Sequence, residues 1–586
     1  MADNQEPTGT DAASEALAKV DREFRAMLAR LTGGISPQDY GAAFADWWLH
    51  YLSSPAKQLA VQQSAVSKAL DLWMFTTQAM QGKPLAPNDP GHRDQRFSGD
   101  AWRLFPFNVY ARAYQNGAKL MQETVSGVQG VQDRNEQMMG FALQQVAEAV
   151  SPANYPSSNP EVIQKTLDEK GANLARGWKH FLEDMERTFS GGAAPGTETF
   201  RVGEQIAATP GKVVYRNELI ELIQYSPATP DVHAEPVLII PAWIMKYYIL
   251  DLSPKNSMVR WLVDSGHTVF MISWKNPTVS DRDVGMDDYL RKGIYAALDA
   301  VSAIVPGRKI HAAGYCIGGT LLSVAAAALA RKGDDRIRDI TLMAAQTDFS
   351  EPGELSLFIS PSQLAMLEAL MLKEGVLDST QMGGAFAMLR AHDLLWQPAV
   401  NAYLKGERAA MIDLMAWNAD GTRMPAKMHT EYLYGLYLNN DLSHDRFKVE
   451  GEVVHLSDIR VPMFVIGTET DHVAPWKSVY KVDRLVQSSE FTFLLTSGGH
   501  NAGIVSGPAH PKRRHRLRTR HAGEPRLTAD RWLETTPVTP GSWWPAWGAW
   551  LLAHSEGGRV PPPPMGAPDK GYVPAADAPG EYVRQR

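Results

Sequence analysis

Apolar residues recur at three- and four-residue spacing through Gln62 to Met80 and Tyr110 to Ala149, with few β-branched runs, which predicts helices there. This texture runs from the start to about Phe189, giving a helical N-terminal region over 1–189 whose first residues are expected to be disordered. Ser190-Gly191-Gly192-Ala193-Ala194-Pro195-Gly196 has no apolar period and predicts a linker over 190–199. Beyond it, short apolar runs read as strands: Val237 to Ile240, Thr268 to Ser273, Ile310 to Ala313, Ile340 to Met343, Met463 to Ile466 and Phe491 to Leu495. Helical stretches such as Ser257 to Val263 and Met286 to Ile304 separate them. The alternation predicts a largely parallel sheet covered on both faces, an α/β catalytic-type domain over 200–559. Between Asp348 and Arg460 it gives way to Leu-, Met- and Trp-rich helical segments, which predicts an inserted lid over about 348–460. From Val560 through Pro561-Pro562-Pro563-Pro564 the chain is Pro-rich, and an extended or tethered tail is expected over 560–586.

Composition narrows the class. The 586 residues are 44% hydrophobic and 21% charged, ordinary globular proportions. With 58 Lys+Arg against 65 Asp+Glu the net charge is −7, so the positive field needed for non-specific nucleic-acid binding is missing. No segment offers eighteen uninterrupted apolar residues, and Met1-Ala2-Asp3-Asn4-Gln5-Glu6-Pro7 lacks a secretory signal's positive region, so a cytoplasmic protein without a transmembrane segment is expected. The single cysteine, Cys316, can form no intramolecular disulfide and fits a reducing compartment. No Cys/His cluster has metal-ligand spacing and no glycine-rich phosphate cradle is present, so neither a metal nor a bound cofactor is expected.

Chemistry concentrates at Gly314-Tyr315-Cys316-Ile317-Gly318-Gly319, directly after one predicted strand and before a predicted helix from Leu321. Strand, sharp turn and helix define a nucleophile elbow, here with Cys in place of the usual Ser, and Gly314 and Gly318 let the turn form without side-chain clashes. A lone cysteine is most often a small buried residue, but this context points to a nucleophile at a helix N-terminus, where the dipole favours thiolate. Such a nucleophile needs an acid and then a histidine, each after a later strand. The run Gly467-Thr468-Glu469-Thr470-Asp471-His472 supplies Asp471, with Glu469 as a weaker alternative, and Thr496-Ser497-Gly498-Gly499-His500 supplies His500. Oxyanion donors are expected from the N–H of Ile317 and from Ala242, Trp243 or Ile244 after the first predicted strand; sequence does not choose among those three. Sulfur narrows the reaction. A thiolate, pKa about 8.5, leaves a tetrahedral adduct more readily than an alkoxide, so attack on oxoesters tends to revert while attack on a thioester is an even exchange. A Cys elbow thus favours acyl transfer from thioesters.

Gly314 to Thr320, Gly467 to His472 and Ser497-Gly498-Gly499-His500-Asn501-Ala502-Gly503-Ile504 resemble the signatures of poly(3-hydroxyalkanoate) synthases. So do Pro210 to Asn217, Tyr248-Ile249-Leu250-Asp251-Leu252 and Trp417-Asn418-Ala419-Asp420-Gly421-Thr422, and the similarity runs from about Phe97 to Val583. The resemblance implies an α/β-hydrolase fold with a helical lid. It also implies polymerisation of (R)-3-hydroxyacyl-CoA into a polyester with release of CoA, at cytoplasmic granules, by a homodimer. Carried over by motif, Cys316 would hold the growing chain, His500 would generate its thiolate, and Asp471 would assist the incoming hydroxyl directly or through His500. Single-chain length and Thr320 look more like class I, which prefers short units such as 3-hydroxybutyryl; class II, with medium-chain units, stays open. His392 stands where the family usually has Asn, and Ala242 replaces a second Pro.

Trp543, Trp544, Trp547 and Trp550 lie on neighbouring helix positions and are expected to pack on the sheet rather than meet polymer. Trp417 fits a core role as well as an interface or channel. The basic run Lys512-Arg513-Arg514-His515-Arg516-Leu517-Arg518-Thr519-Arg520 is expected to be a solvated loop, the alternative being attraction of CoA phosphates. Two rivals share these residues: an acyl-CoA thioesterase, with water as acceptor, and an inactive granule-coating protein.

Overall fold

Eleven strands hydrogen-bond into one sheet. In chain order they are β1 (Gly211–Arg216), β2 (Ile220–Tyr225), β3 (Val237–Ile240), β4 (Val269–Trp274), β5 (Ile310–Tyr315), β6 (Ile337–Met343), β7 (Met463–Thr468), β8 (Glu490–Thr496), β9 (Arg514–His521), β10 (Thr539–Pro540) and β11 (Ala576–Asp577). Across the sheet the order is β10-β9-β8-β7-β6-β5-β3-β4-β2-β1-β11. The pairs from β8 through β4 are all parallel. Their residues are buried almost throughout, which is why they read as continuous apolar runs. Both flanks are antiparallel: β9 and β10 beyond β8, and β2, β1 and β11 beyond β4.

The computed structural model describes residues 20–29, 36–82 and 94–586, in two compact units. Of the described residues, the larger holds the sheet and comprises 20–28, Pro195–Met382 and Met411–Arg586; the smaller comprises 29, 36–82, 94–194 and Gly383–Ala410. Most of the expected disordered start falls outside the described residues. In the smaller unit run α1 (Pro37–Leu52), α2 (Pro55–Met80), α3 (Phe107–Val125), α4 (Asp133–Ala149) and α5 (Ala172–Ser190). The single apolar period from Tyr110 to Ala149 divides into α3 and α4 because Gly127 and Gly130 adopt positive φ between them. In the larger unit, α6 (Ile317–Arg331) follows β5, and α7 (Trp544–Ala553) carries the tryptophan stripe. Trp543, Trp544, Trp547 and Trp550 are buried. Among the described residues no helix is long and apolar enough to cross a membrane.

Two expectations change, while the tail is tethered. Instead of one continuous lid over 348–460, Gly383–Ala410 joins the smaller unit, where Asn173 Nδ2 donates to Leu404 O at 2.8 Å and Arg408 pairs with Asp184 at 2.6 Å. Helical periodicity identifies a helix but not the unit that covers its apolar face. The basic run is not a solvated loop: Arg514–His521 is β9, in antiparallel register from Glu490↔His521 to Thr496↔His515. Arginines alternate there with His515, Leu517 and Thr519, a period of two. The Pro-rich tail closes the opposite edge, with β11 on β1 through Lys212↔Asp577.

Candidate active site

Cys316 sits between β5 and α6 with φ 53° and ψ −128°, a left-handed backbone conformation that non-glycine residues rarely adopt and one that lifts the side chain off the turn. The tight crossing excludes side chains on either side. A Cβ on Gly314 would lie 2.4 Å from Gly319 Cα, and one on Gly318 would lie 2.4 Å from Ile240 O and 2.5 Å from Pro241 O. Gly318 therefore lets the first turn of α6 rest on the backbone that leaves β3. Cys316 is partly exposed. Its carbonyl accepts from the N–H of Gly319 at 2.9 Å, while the N–H groups of Ile317 and Gly318 have no acceptor among the described residues.

Strands β7 and β8 deliver the other two groups. Asp471 follows β7, its side chain fully buried, and Oδ1 accepts from the N–H of Val473 at 2.9 Å and of Ala474 at 2.8 Å. Oδ2 accepts from Thr468 Oγ1 at 3.0 Å and meets His500 Nδ1 at 2.8 Å. Burial pushes the Asp471 carboxyl up, but the charge and hydrogen bond of His500, with the two N–H groups, hold it below its ordinary value. Burial likewise opposes the imidazolium of His500. Asp471 and the Cys316 sulfur, each through charge and a hydrogen bond, outweigh it and raise His500 well above the usual histidine range. His500 thus pairs with Asp471 and feels the Cys316 sulfur, whereas Glu469 pairs with Arg514 at 2.8 Å.

The loop expected to supply oxyanion donors lies beside the elbow. Ala242 and Trp243 are buried and Ile244 half-buried. The Trp243 ring belongs to the core, 4.7 Å from Tyr289 and 5.7 Å from Trp274 between centroids, so this residue offers the site its backbone. No acceptor among the described residues takes the N–H of Ala242, Trp243 or Ile244.

Sequence reasoning missed the groups that hold the histidine in place. Tyr315 donates to Asn501 Oδ1 at 2.6 Å, with its ring 5.6 Å from that of His500. Trp543 Nε1 donates to Gly503 O at 3.0 Å, Trp544 Nε1 to Ile504 O at 2.9 Å and Arg513 Nη2 to Ala502 O at 3.0 Å. The tryptophan stripe thus packs on the sheet and also braces the loop that carries His500. Its spacing reveals a buried face, not the target of the indole N–H. Tyr432 and Tyr437, with hydroxyls 3.4 Å apart, also feel the charge of Cys316. No motif marks them in the chain. Trp417 is buried and donates to Lys246 O at 2.8 Å. No group of three side chains able to hold a metal occurs among the described residues.

A parallel-centred sheet with an elbow nucleophile, then an acid, then a histidine in chain order defines the α/β-hydrolase class, and residues 235–506 match the alpha/beta hydrolase fold family. Residues 93–262 match the poly-beta-hydroxybutyrate polymerase (PhaC) N-terminus, and residues 15–57 the poly-beta-hydroxybutyrate polymerase N terminal family. The chain is 37% identical over 546 residues to the poly(3-hydroxyalkanoate) polymerase subunit PhaC of Rhizobium etli, covering 92% of this chain and 85% of that one. It is 38% identical to the poly(3-hydroxyalkanoate) polymerase of Methylorubrum extorquens, covering 92% and 88% of the two chains. With the PhaC subunit of Cupriavidus necator it is 35% identical, over 91% and 89%. The chain belongs to the poly(3-hydroxyalkanoate) polymerase family, and it is an acyltransferase.

Proposed function

We propose that the chain polymerises (R)-3-hydroxyacyl-CoA, with 3-hydroxybutyryl-CoA as the preferred unit, through a thioester on Cys316. The observation that carries this is the Cys316–His500–Asp471 relay at an elbow whose nucleophile is sulfur. His500 takes the thiol proton, and the thiolate attacks the thioester carbonyl. The negative oxygen that forms is held by the N–H of Ile317 and an N–H of the 242–244 loop. The adduct collapses, the C–S bond to CoA breaks, and the leaving thiolate takes the proton from His500. The acyl group now rides on Cys316 as a thioester. The 3-hydroxyl of another (R)-3-hydroxyacyl-CoA then gives its proton to His500 and attacks. An ester forms as the C–S bond to Cys316 breaks, and the proton passes from His500 to the freed sulfur. The chain leaves one unit longer as its CoA thioester, ready to acylate Cys316 again. Asp471 holds the imidazole by Nδ1 and balances its positive charge through both halves.

These steps need no metal and no bound organic cofactor. With one thiol per chain, passing polymer between two thiols requires a homodimer. An insoluble product keeps the enzyme at a cytoplasmic granule surface. The test is incubation with (R)-3-hydroxybutyryl-CoA, following free thiol and insoluble polyester together. The wild type is expected to release CoA and deposit polyester, and Cys316→Ala to do neither. Free 3-hydroxybutyrate as the only product of the wild type, or undiminished CoA release by Cys316→Ala, would overturn the proposal.

A further inference from the structure

The loop leaving β3 is clamped by its carbonyls. Trp274 Nε1 donates to Pro241 O at 3.0 Å, Thr422 Oγ1 to Trp243 O at 2.7 Å and Trp417 Nε1 to Lys246 O at 2.8 Å. All three donors are buried, Thr422 at 4% exposure, so water does not compete for these carbonyls. A planar trans peptide carries its C=O and the following N–H on opposite edges. Fixing the Trp243 carbonyl therefore fixes the Ile244 N–H, turned away from Thr422, just as Trp274 fixes the Ala242 N–H through Pro241. A bridge between Met245 and Gly421 sets Thr422 alongside the loop, and Gly318 seats the start of that loop on the first turn of α6, beside the unpaired N–H of Ile317.

We infer that Thr422 is a positioning residue for acyl transfer: its hydroxyl locks the Trp243–Ile244 peptide so that the Ile244 N–H faces the oxyanion formed at Cys316. This rests on the thioester function proposed for Cys316. Thr422 itself touches no reacting atom. Its contribution is that the second donor is already oriented before charge develops, which is where such donors gain their effect. Without the clamp the peptide is free to rotate, and the tetrahedral adduct loses one of its two donors while ground-state binding of the substrate is untouched.

The experiment compares two reactions of the same sulfur. Acylation by (R)-3-hydroxybutyryl-CoA builds an oxyanion; alkylation by iodoacetamide does not. Thr422→Val keeps the side-chain volume and removes the donor. Its acylation rate is expected to fall by about 10-fold or more, with KM within about twofold and alkylation at the wild-type rate. Thr422→Ser, which keeps the hydroxyl, is expected to restore acylation to within about threefold. If Thr422→Val does not fold, Thr422→Ala is read by the same pair of rates. Acylation at the wild-type rate without the hydroxyl, or equal losses of acylation and alkylation, would overturn the inference. A wild-type enzyme that never becomes acylated would instead refute the function of Cys316, a different failure seen in a different protein sample.

Discussion

At the scale of single residues, the site depends on charges that stabilise each other out of water. His500 is raised above its ordinary 6.5, so its share of stability is complete below that pH and is lost as pH climbs through the raised value. Asp471 is lowered from 3.8, so its share is complete above that pH and is lost as pH falls through the lowered value. The difference in thermal stability between the wild type and Asp471→Asn is therefore expected to be largest between about pH 4 and 6.5 and to shrink on the alkaline side. Melting curves across that range check it; a difference that grows above pH 8 contradicts the pairing.

At the scale of elements, β9, next to the edge strand β10, is a charged strand that is also structural. Arg520 Nη2 and Nε donate to Asp483 Oδ1 at 2.6 and 3.0 Å, and the Asp483 side chain is only 2% exposed. Removing one partner of a buried pair leaves an uncompensated charge, whereas replacing both with apolar groups is often neutral. Arg526 Nε, 3.8 Å from Asp483 Oδ1, still partly compensates that carboxylate, so Arg520→Ala is expected to cost about 2 kcal/mol of unfolding free energy, and Arg520→Leu with Asp483→Leu to recover most of it. Denaturant titration of the two variants decides it, with CoA release per folded molecule expected to stay at the wild-type level in both. The elbow shows the converse economy of an element: one helix start, α6, places Cys316 at its N-cap and supplies the unpaired Ile317 N–H and the glycine contact that seats the 242–244 loop.

At the scale of the molecule, the two ends of the parallel strands divide the work. The carboxyl ends carry Cys316, Asp471, His500 and the 242–244 loop, while the opposite ends bury His267, His311 and Asp339, the last two paired at 2.6 Å. Burial, with the nearby charges of His233 and His311, pushes His267 down to about 3, so it stays neutral in the fold. Unfolded chain takes up its proton below pH 6.5 and folded chain does not, so this histidine weakens the fold as pH falls from 6.5 towards 3. Between pH 7 and pH 5 the wild type is expected to lose about 2 kcal/mol more than His267→Phe, read from urea unfolding at both values. Equal losses would show that His267 is protonated in the folded protein. What could be read from the chain was whatever repeats or sits in a short contiguous pattern. The six parallel strands declared themselves as apolar runs because both faces are buried, and Cys316, Asp471 and His500 did so because each directly follows a strand. The amino-acid order by itself thus determined the sheet's centre and singled out Cys316, Asp471 and His500 at the ends of its strands. Only the tertiary structure decided that Gly383–Ala410 belongs with the smaller unit, that tryptophans brace the histidine loop and that Thr422 grips Trp243. Those choices join residues far apart in the chain, 179 positions in the last case, through single donors whose targets no local period encodes.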